Sequence, residues 1–126
     1  MQPLIAIVDD DKSVREALRS LFKSMGFQTA LFARAQDFLE SPDFSEMACL
    51  ILDVMMPGMD GMQVLDHLKR DPGSGSIPVV MVTAKSEDRD VLAGYDSGAD
   101  YYITKPFTAR QILYALGLVL GTKEPD

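Results

Sequence analysis

Leu4-Ile5-Ala6-Ile7-Val8 runs without interruption into Asp9-Asp10-Asp11. A short unbroken apolar run suits a strand covered on both faces, and the acids mark where it stops. The same arrangement recurs along the chain. Cys49-Leu50-Ile51-Leu52 runs into Asp53, Val79-Val80-Met81-Val82 into Thr83, and Tyr101-Tyr102-Ile103-Thr104 into Lys105-Pro106. If these runs are parallel strands, their carboxyl ends share one edge of one sheet. The polar groups then converge on an acidic pocket holding one lysine and one hydroxyl. Such a pocket suits a divalent cation and presents a carboxylate for chemistry.

The segments between the runs carry helical patterns. Val14, Ala17, Leu18, Leu21, Phe22 and Met25 recur at helical spacing over 13–24. Ser13 and Glu16 have capping-box spacing, and Gly26 supplies the stop. A strand over 27–32 alternates apolar and polar residues and reads as an edge. A short helix over 34–40 ends before Pro42. The remaining elements are strands at 48–52, 78–82 and 101–104 and helices at 61–70, 86–96 and 108–120. Asp71-Pro72-Gly73-Ser74-Gly75-Ser76 is a loop. Strands alternating with helices define an α/β protein with a doubly wound, five-stranded parallel sheet and helices on both faces. The first and third strands must be neighbours if Asp10 and Asp53 are to share a cation. That places the pocket at the topological switch point, where ligands bind in such sheets.

A chain of 126 residues is one domain with room for a core. We read 1–121 as that domain and 122–126 as a tail or the start of a linker. The net charge of −7 disfavours a nucleic-acid surface on this domain alone. The lone Cys49 sits in an apolar run and fits a reducing compartment. Neither a signal peptide nor a membrane-spanning run is visible, so the expected location is cytoplasmic.

Mg²⁺ takes about six oxygen ligands and keeps several as water. Asp10, Asp53 and the carbonyl of Met55 can supply the protein's share, with Asp9 holding a bound water; Mn²⁺ is an alternative. An Asp carboxylate can also attack phosphorus to give an aspartyl phosphate. Phosphoryl transfer then needs positioning and charge neutralisation, which the metal, Lys105 and the Thr83 hydroxyl can supply. Each residue alone has a plainer reading. Acidic pairs commonly cap helices, and a single lysine commonly faces solvent. Their shared place on one sheet edge favours a site.

Ile7-Val8-Asp9-Asp10, Leu52-Asp53-Val54-Met55-Met56-Pro57-Gly58-Met59-Asp60-Gly61, Val82-Thr83-Ala84 and Gly98-Ala99-Asp100-Tyr101-Tyr102-Ile103-Thr104-Lys105-Pro106-Phe107 stand in order along the chain. In these motifs the sequence resembles the receiver domain of bacterial two-component response regulators. The resemblance implies a flavodoxin-like (βα)5 fold with strand order 2-1-3-4-5. It implies that Asp53 is a phosphoprotein's acceptor, taking its phosphoryl group from a sensor histidine kinase or phosphotransfer protein. Asp10, Asp53 and the Met55 carbonyl would bind Mg²⁺, with Asp9 acting through water. Lys105 would contact a phosphate oxygen. Thr83 would turn to the phosphate, and Tyr102 would move inward behind it. The Lys105–Pro106 bond would be cis. The chain would be a signalling switch rather than an enzyme, with only weak self-phosphorylation from small phosphodonors and self-dephosphorylation. The face formed by the helix at 86–96, the last strand and the last helix would control a downstream partner or attached output domain. At Met55 and Lys85, positions that tune attack by water in this family, an apolar Met55 implies a long-lived phosphorylated state.

Three further expectations come from the residues. The last helix has almost no polar face. Ile112, Ala115, Leu116 and Val119 can cover the sheet, while Leu113, Tyr114 and Leu120 point elsewhere and suit a homodimer or a partner helix. His67 lies among charged residues and faces solvent. Met55, Met56, Met59 and Met62 pack loops, since thioethers are poor ligands for a hard cation. The competing functions are a phosphorylation-independent interaction module and a Mg²⁺-dependent phosphohydrolase. The complete set of Asp9, Asp10, Asp53, Thr83 and Lys105 disfavours the first. The apolar Met55, where the familiar aspartate phosphohydrolases carry a second acid, disfavours the other.

Overall fold

Five parallel strands pair in the order 2-1-3-4-5 that the receiver resemblance implies, and the first and third are neighbours, as a shared cation requires. They are β1 (Leu4–Val8), β2 (Gln28–Phe32), β3 (Met47–Leu52), β4 (Val79–Thr83) and β5 (Tyr101–Thr104). The helices are α1 (Lys12–Ser24), α2 (Ala35–Leu39), α3 (Gly61–Arg70) and the C-terminal helix (Ala109–Leu120). This computed structural model describes residues 3–40, 47–54, 61–70, 77–84, 92, 93, 96 and 98–120. Most of the helix expected at 86–96 lies outside the described residues.

The period of two along each strand divides the core into two layers. Ala6, Val8, Leu50, Leu52, Val79 and Met81 point to one face and meet Phe38 of α2 and Val64, Leu65 and Leu68 of α3. Ile5, Ile7, Cys49, Ile51, Val80 and Val82 point to the other and meet Leu18 and Phe22 of α1 with Ile112, Ala115 and Leu116 of the C-terminal helix. Unbroken apolar runs are therefore what β1, β3 and β4 need, because both faces of each are covered. The edges are β2, as expected, and β5. Met47 joins β3 one residue earlier than expected, through a register irregularity opposite Leu4 and Ile5. Thr83 belongs to β4 itself rather than following it.

The ends of α1 show which local signals were stronger. Its N-cap is Asp11, not Ser13; the Asp11 carboxylate accepts from the backbone N–H of Ser13 and Val14. A carboxylate two residues upstream reaches the free amides of the first turn better than the serine inside it. Such a cap contributes about 1 kcal/mol. Ala17 and Met25, counted in the apolar stripe, are exposed. Met25 is the C-cap and already off the helix. Gly26 at φ +89° closes the end. Its N–H donates to the Lys23 carbonyl and that of Phe27 to the Phe22 carbonyl. The Phe27 ring then meets the Phe22 ring edge-on at 6.3 Å, the apolar contact that accompanies this stop.

On the C-terminal helix the expected inner stripe is correct: Ile112, Ala115 and Leu116 are buried and Val119 packs against them. Leu120, expected to point elsewhere, joins the same layer. Tyr114 and Leu118 are the exposed apolars, 62% and 52% accessible.

Cys49 is fully buried in β3. Burial first, and the Asp100 carboxylate second, push its thiol up to about 12 against a backbone hydrogen bond at Leu50 that lowers it. The folded state therefore holds this proton more tightly than the unfolded chain. The resulting stability is full below the ordinary thiol range and is lost as pH rises through the folded value. Urea unfolding should show the wild-type midpoint falling more steeply than that of Cys49→Ala between about pH 9 and about pH 11.

Candidate functional site

The pocket begins as an extension of the strand ladders. Val8 pairs with Phe32 on one side and Leu52 on the other. One residue further on, the Asp9 N–H donates to the Phe32 carbonyl at 3.1 Å and the Asp53 N–H to the Val8 carbonyl at 3.0 Å. Asp9 and Asp53 thus leave adjacent strands at the same level. On the other side Thr83 pairs with Thr104, and the Lys105 N–H donates to the Thr83 carbonyl at 2.7 Å. The four strand ends bring Asp9, Asp53, Thr83 and Lys105 to one edge, as the sequence pattern predicts. The Lys105–Pro106 bond is cis.

Side chains close the site. The Lys105 Nζ donates to Asp9 Oδ2 at 3.0 Å and to Asp53 Oδ2 at 3.2 Å. Asp9 and Asp53 are only 3% and 4% exposed, whereas Asp10 is exposed. Ligand oxygens of Asp9, Asp10 and Asp53 lie within 4.8 Å of one another. Burial works against the charge of Lys105, but the hydrogen bond to Asp9 and the charges of Asp53 and Asp9 outweigh it. The ammonium is held above the ordinary lysine range.

The three consecutive acids separate into distinct environments. Asp9 is the buried partner of Lys105, Asp10 opens to solvent beside it, and Asp11 caps α1. Asp9 is further held by the Asp11 N–H, which donates to its Oδ1 at 2.9 Å.

The donor set fits a hard divalent cation. Carboxylate oxygens are its preferred ligands. A single ammonium does not balance three carboxylates, and a doubly charged ion would. Met55, whose carbonyl is an expected metal ligand, lies outside the described residues, as do Lys85, Met56 and Met59. His67 is exposed, as expected.

Thr83 is fully buried and Tyr102 is 8% exposed. Tyr102 pairs with Met81 and Thr104 with Thr83, so Tyr102 and Thr83 stand on the same face of adjacent strands. Tyr101 and Tyr102 take opposite faces. Tyr102 joins the layer of α2 and α3; Tyr101 meets Tyr114 of the C-terminal helix edge-on at 6.3 Å.

Two residues were not legible as contributors. The Arg15 Nη1 donates to the Asp9 carbonyl at 2.7 Å, reaching from α1 into the pocket loop. Its only sequence signal is its place one turn beyond the Asp11 cap. Asp100 belongs to the opposite end of the sheet. Its Oδ2 accepts from the Val79 N–H, and its own N–H donates to the Val79 carbonyl, both at 2.8 Å. It fixes the start of β5 against β4.

An α/β sheet binds ligands at its topological switch point, and here that place holds three carboxylates and a lysine. Comparison with known proteins gives the family. The sequence model of the response regulator receiver domain matches residues 5–117. The DNA-binding response regulator MtrA of Mycolicibacterium smegmatis is 37% identical over 126 residues, covering 100% of this chain and 54% of MtrA. Among solved structures, a protein described as a response regulator from Chloroflexus aurantiacus superposes with a TM-score of 0.89 at 28% identity, over 96% of this chain and 99% of that one. The beryllofluoride-activated DrrB receiver domain gives 0.82 at 31% identity, over 96% and 99%. The chain belongs to the response regulator receiver domain family, a signalling domain of two-component systems. It spans about half the length of the curated relatives it matches. Among the described residues no helix is long and apolar enough to cross a membrane.

Proposed function

We propose that the chain is a cytoplasmic phosphorylation switch whose acceptor is Asp53, supplied by a sensor histidine kinase or phosphotransfer protein. The observation that carries this reading is the contact of Lys105 with both Asp53 and Asp9 beside a third carboxylate. An Asp53 carboxylate oxygen attacks phosphorus. The bond from phosphorus to the donor's imidazole nitrogen breaks, and that nitrogen leaves with its electron pair. Lys105 then exchanges one carboxylate contact for a phosphoryl oxygen. Asp10 and Asp53, with the Met55 carbonyl and Asp9 through a water, would hold Mg²⁺ or Mn²⁺. Bound there, the cation would neutralise charge on the phosphoryl oxygens. Small phosphodonors would react slowly by the same attack. Water would later release phosphate.

Phosphorylation adds roughly two negative charges and new acceptors. Thr83 and Tyr102, on one face of neighbouring strands, are placed to respond together: a shift of Thr83 toward the phosphate alters the space beside the Tyr102 ring. The change would be read on the face of β5 and the C-terminal helix. There Tyr101–Thr104, Arg110, Gln111 and Tyr114 line a cleft of about 360 Å³. Tyr114 and Leu118 are exposed there for a second copy or another partner. The net charge of −7 argues against nucleic-acid binding by this domain alone.

Amide NMR spectra with beryllofluoride test the reading. With Mg²⁺ present, the signals of Thr83, Tyr102 and Lys105 should move to a second set of positions; without Mg²⁺ they should stay. Unchanged spectra in both conditions would contradict it.

A further inference from the structure

We infer that Arg15 is a positioning residue for the acid pocket, setting how tightly Asp9, Asp10 and Asp53 take a divalent cation. The inference rests on the cation-site reading above and adds a residue to it. Asp9 is fixed at every polar atom. Its N–H is tied to Phe32, its Oδ1 to the Asp11 N–H and its Oδ2 to Lys105. The remaining atom, the carbonyl oxygen, accepts from Arg15 Nη1 at 2.7 Å, the shortest of these bonds. The other ties come from the sheet edge, from the next turn of chain and from the lysine. Among the described residues, Arg15 is the tie between Asp9 and the body of α1.

Two consequences follow from chemistry. The carbonyl oxygen of Asp9 accepts from a positively charged guanidinium, which makes it a poorer cation ligand than the carboxylates beside it. The peptide plane after Asp9 is also fixed, and with it the start of Asp10, whose side chain projects into solvent beside the buried pair. Without Arg15 that plane is free to rotate, and the exposed carboxylate of Asp10 loses its alignment with Asp53. Groups that orient ligands from behind in this way are worth about ten- to a hundredfold in metal affinity. A loss near the lower end fits here, because Asp9 keeps its other ties.

The competing role is purely architectural: Arg15 would only hold α1 against the sheet. Mn²⁺ titration followed by the electron paramagnetic resonance of the free ion separates the two, with urea stability measured in parallel. Arg15→Met keeps the aliphatic stem and removes the donor. It should weaken Mn²⁺ binding about tenfold. Arg15→Lys, which can still donate to the Asp9 carbonyl, should fall closer to wild type. Leu21→Ala loosens α1 by removing a half-buried side chain remote from the pocket; it should lower stability and leave Mn²⁺ affinity unchanged. Arg15→Ala repeats the comparison without the stem. Wild-type affinity in Arg15→Met, or equal weakening in Leu21→Ala, overturns the inference and leaves the cation site standing. Absence of Mn²⁺ binding by the wild type overturns the site and the inference together.

Discussion

Asp53→Asn should incorporate no phosphoryl group from acetyl phosphate and Mg²⁺ under conditions that label the wild type. Replacing one carboxylate oxygen by an amide nitrogen keeps the shape and removes the nucleophile. Lys105, Thr83 and the other acids would remain, so the experiment isolates the attacking atom. The same substitution carries an unusual sign for stability. Three clustered carboxylates face one ammonium, and two of them are buried. Removing a charge from that cluster relieves repulsion. Without Mg²⁺, Asp53→Asn should melt at or above the wild-type temperature, and Mg²⁺ should raise its melting temperature less. A variant that is dead to phosphodonors yet at least as stable is the expected signature of a site that trades stability for chemistry.

Lys105→Met should do the reverse. Asp9 and Asp53 would keep their burial and lose the ammonium that bonds both. Breaking a buried pair by removing one partner costs about 3–5 kcal/mol. Lys105 is itself partly exposed and Asp9 keeps the Asp11 N–H, so a loss of about 2–3 kcal/mol is expected here. Mg²⁺ offers the missing positive charge. Urea unfolding of Lys105→Met should therefore show a low midpoint in chelator and a larger gain on adding Mg²⁺ than the wild type shows. A midpoint equal to wild type in chelator would mean that the ammonium is not what balances these acids. The test needs no phosphoryl uptake: it reads the electrostatics of the resting pocket alone.

The fold was legible because its signals are local and repeated. Unbroken apolar runs at β1, β3 and β4 identify covered strands, and the polar residue after each run names the pocket. Gly26 announced the end of α1 through the one backbone conformation that other residues avoid. The failures were also local. The capping-box spacing of Ser13 and Glu16 was genuine, but Asp11 caps the helix because it lies where the chain leaves the strand edge. Leu120 reads as outward when positions are counted along an almost wholly apolar helix, where periodicity carries little contrast; contact with the sheet layer decides it. The pocket's composition was readable, but its internal bonding was not. That Lys105 bridges Asp9 and Asp53, and that Arg15 grips the Asp9 carbonyl, depends on distances between residues remote in sequence or on a side chain reaching back across a turn.

On phosphorylation the carboxylate after β3 should become a mixed anhydride with phosphate. Borohydride reduction of the wild-type protein after acetyl phosphate and Mg²⁺, followed by peptide mass mapping, reads this directly, since reduction of an aspartyl phosphate leaves homoserine. Homoserine is expected at position 53 alone, and none when Mg²⁺ is withheld. Homoserine at position 9 or 10 in place of 53, or none at all, would contradict it.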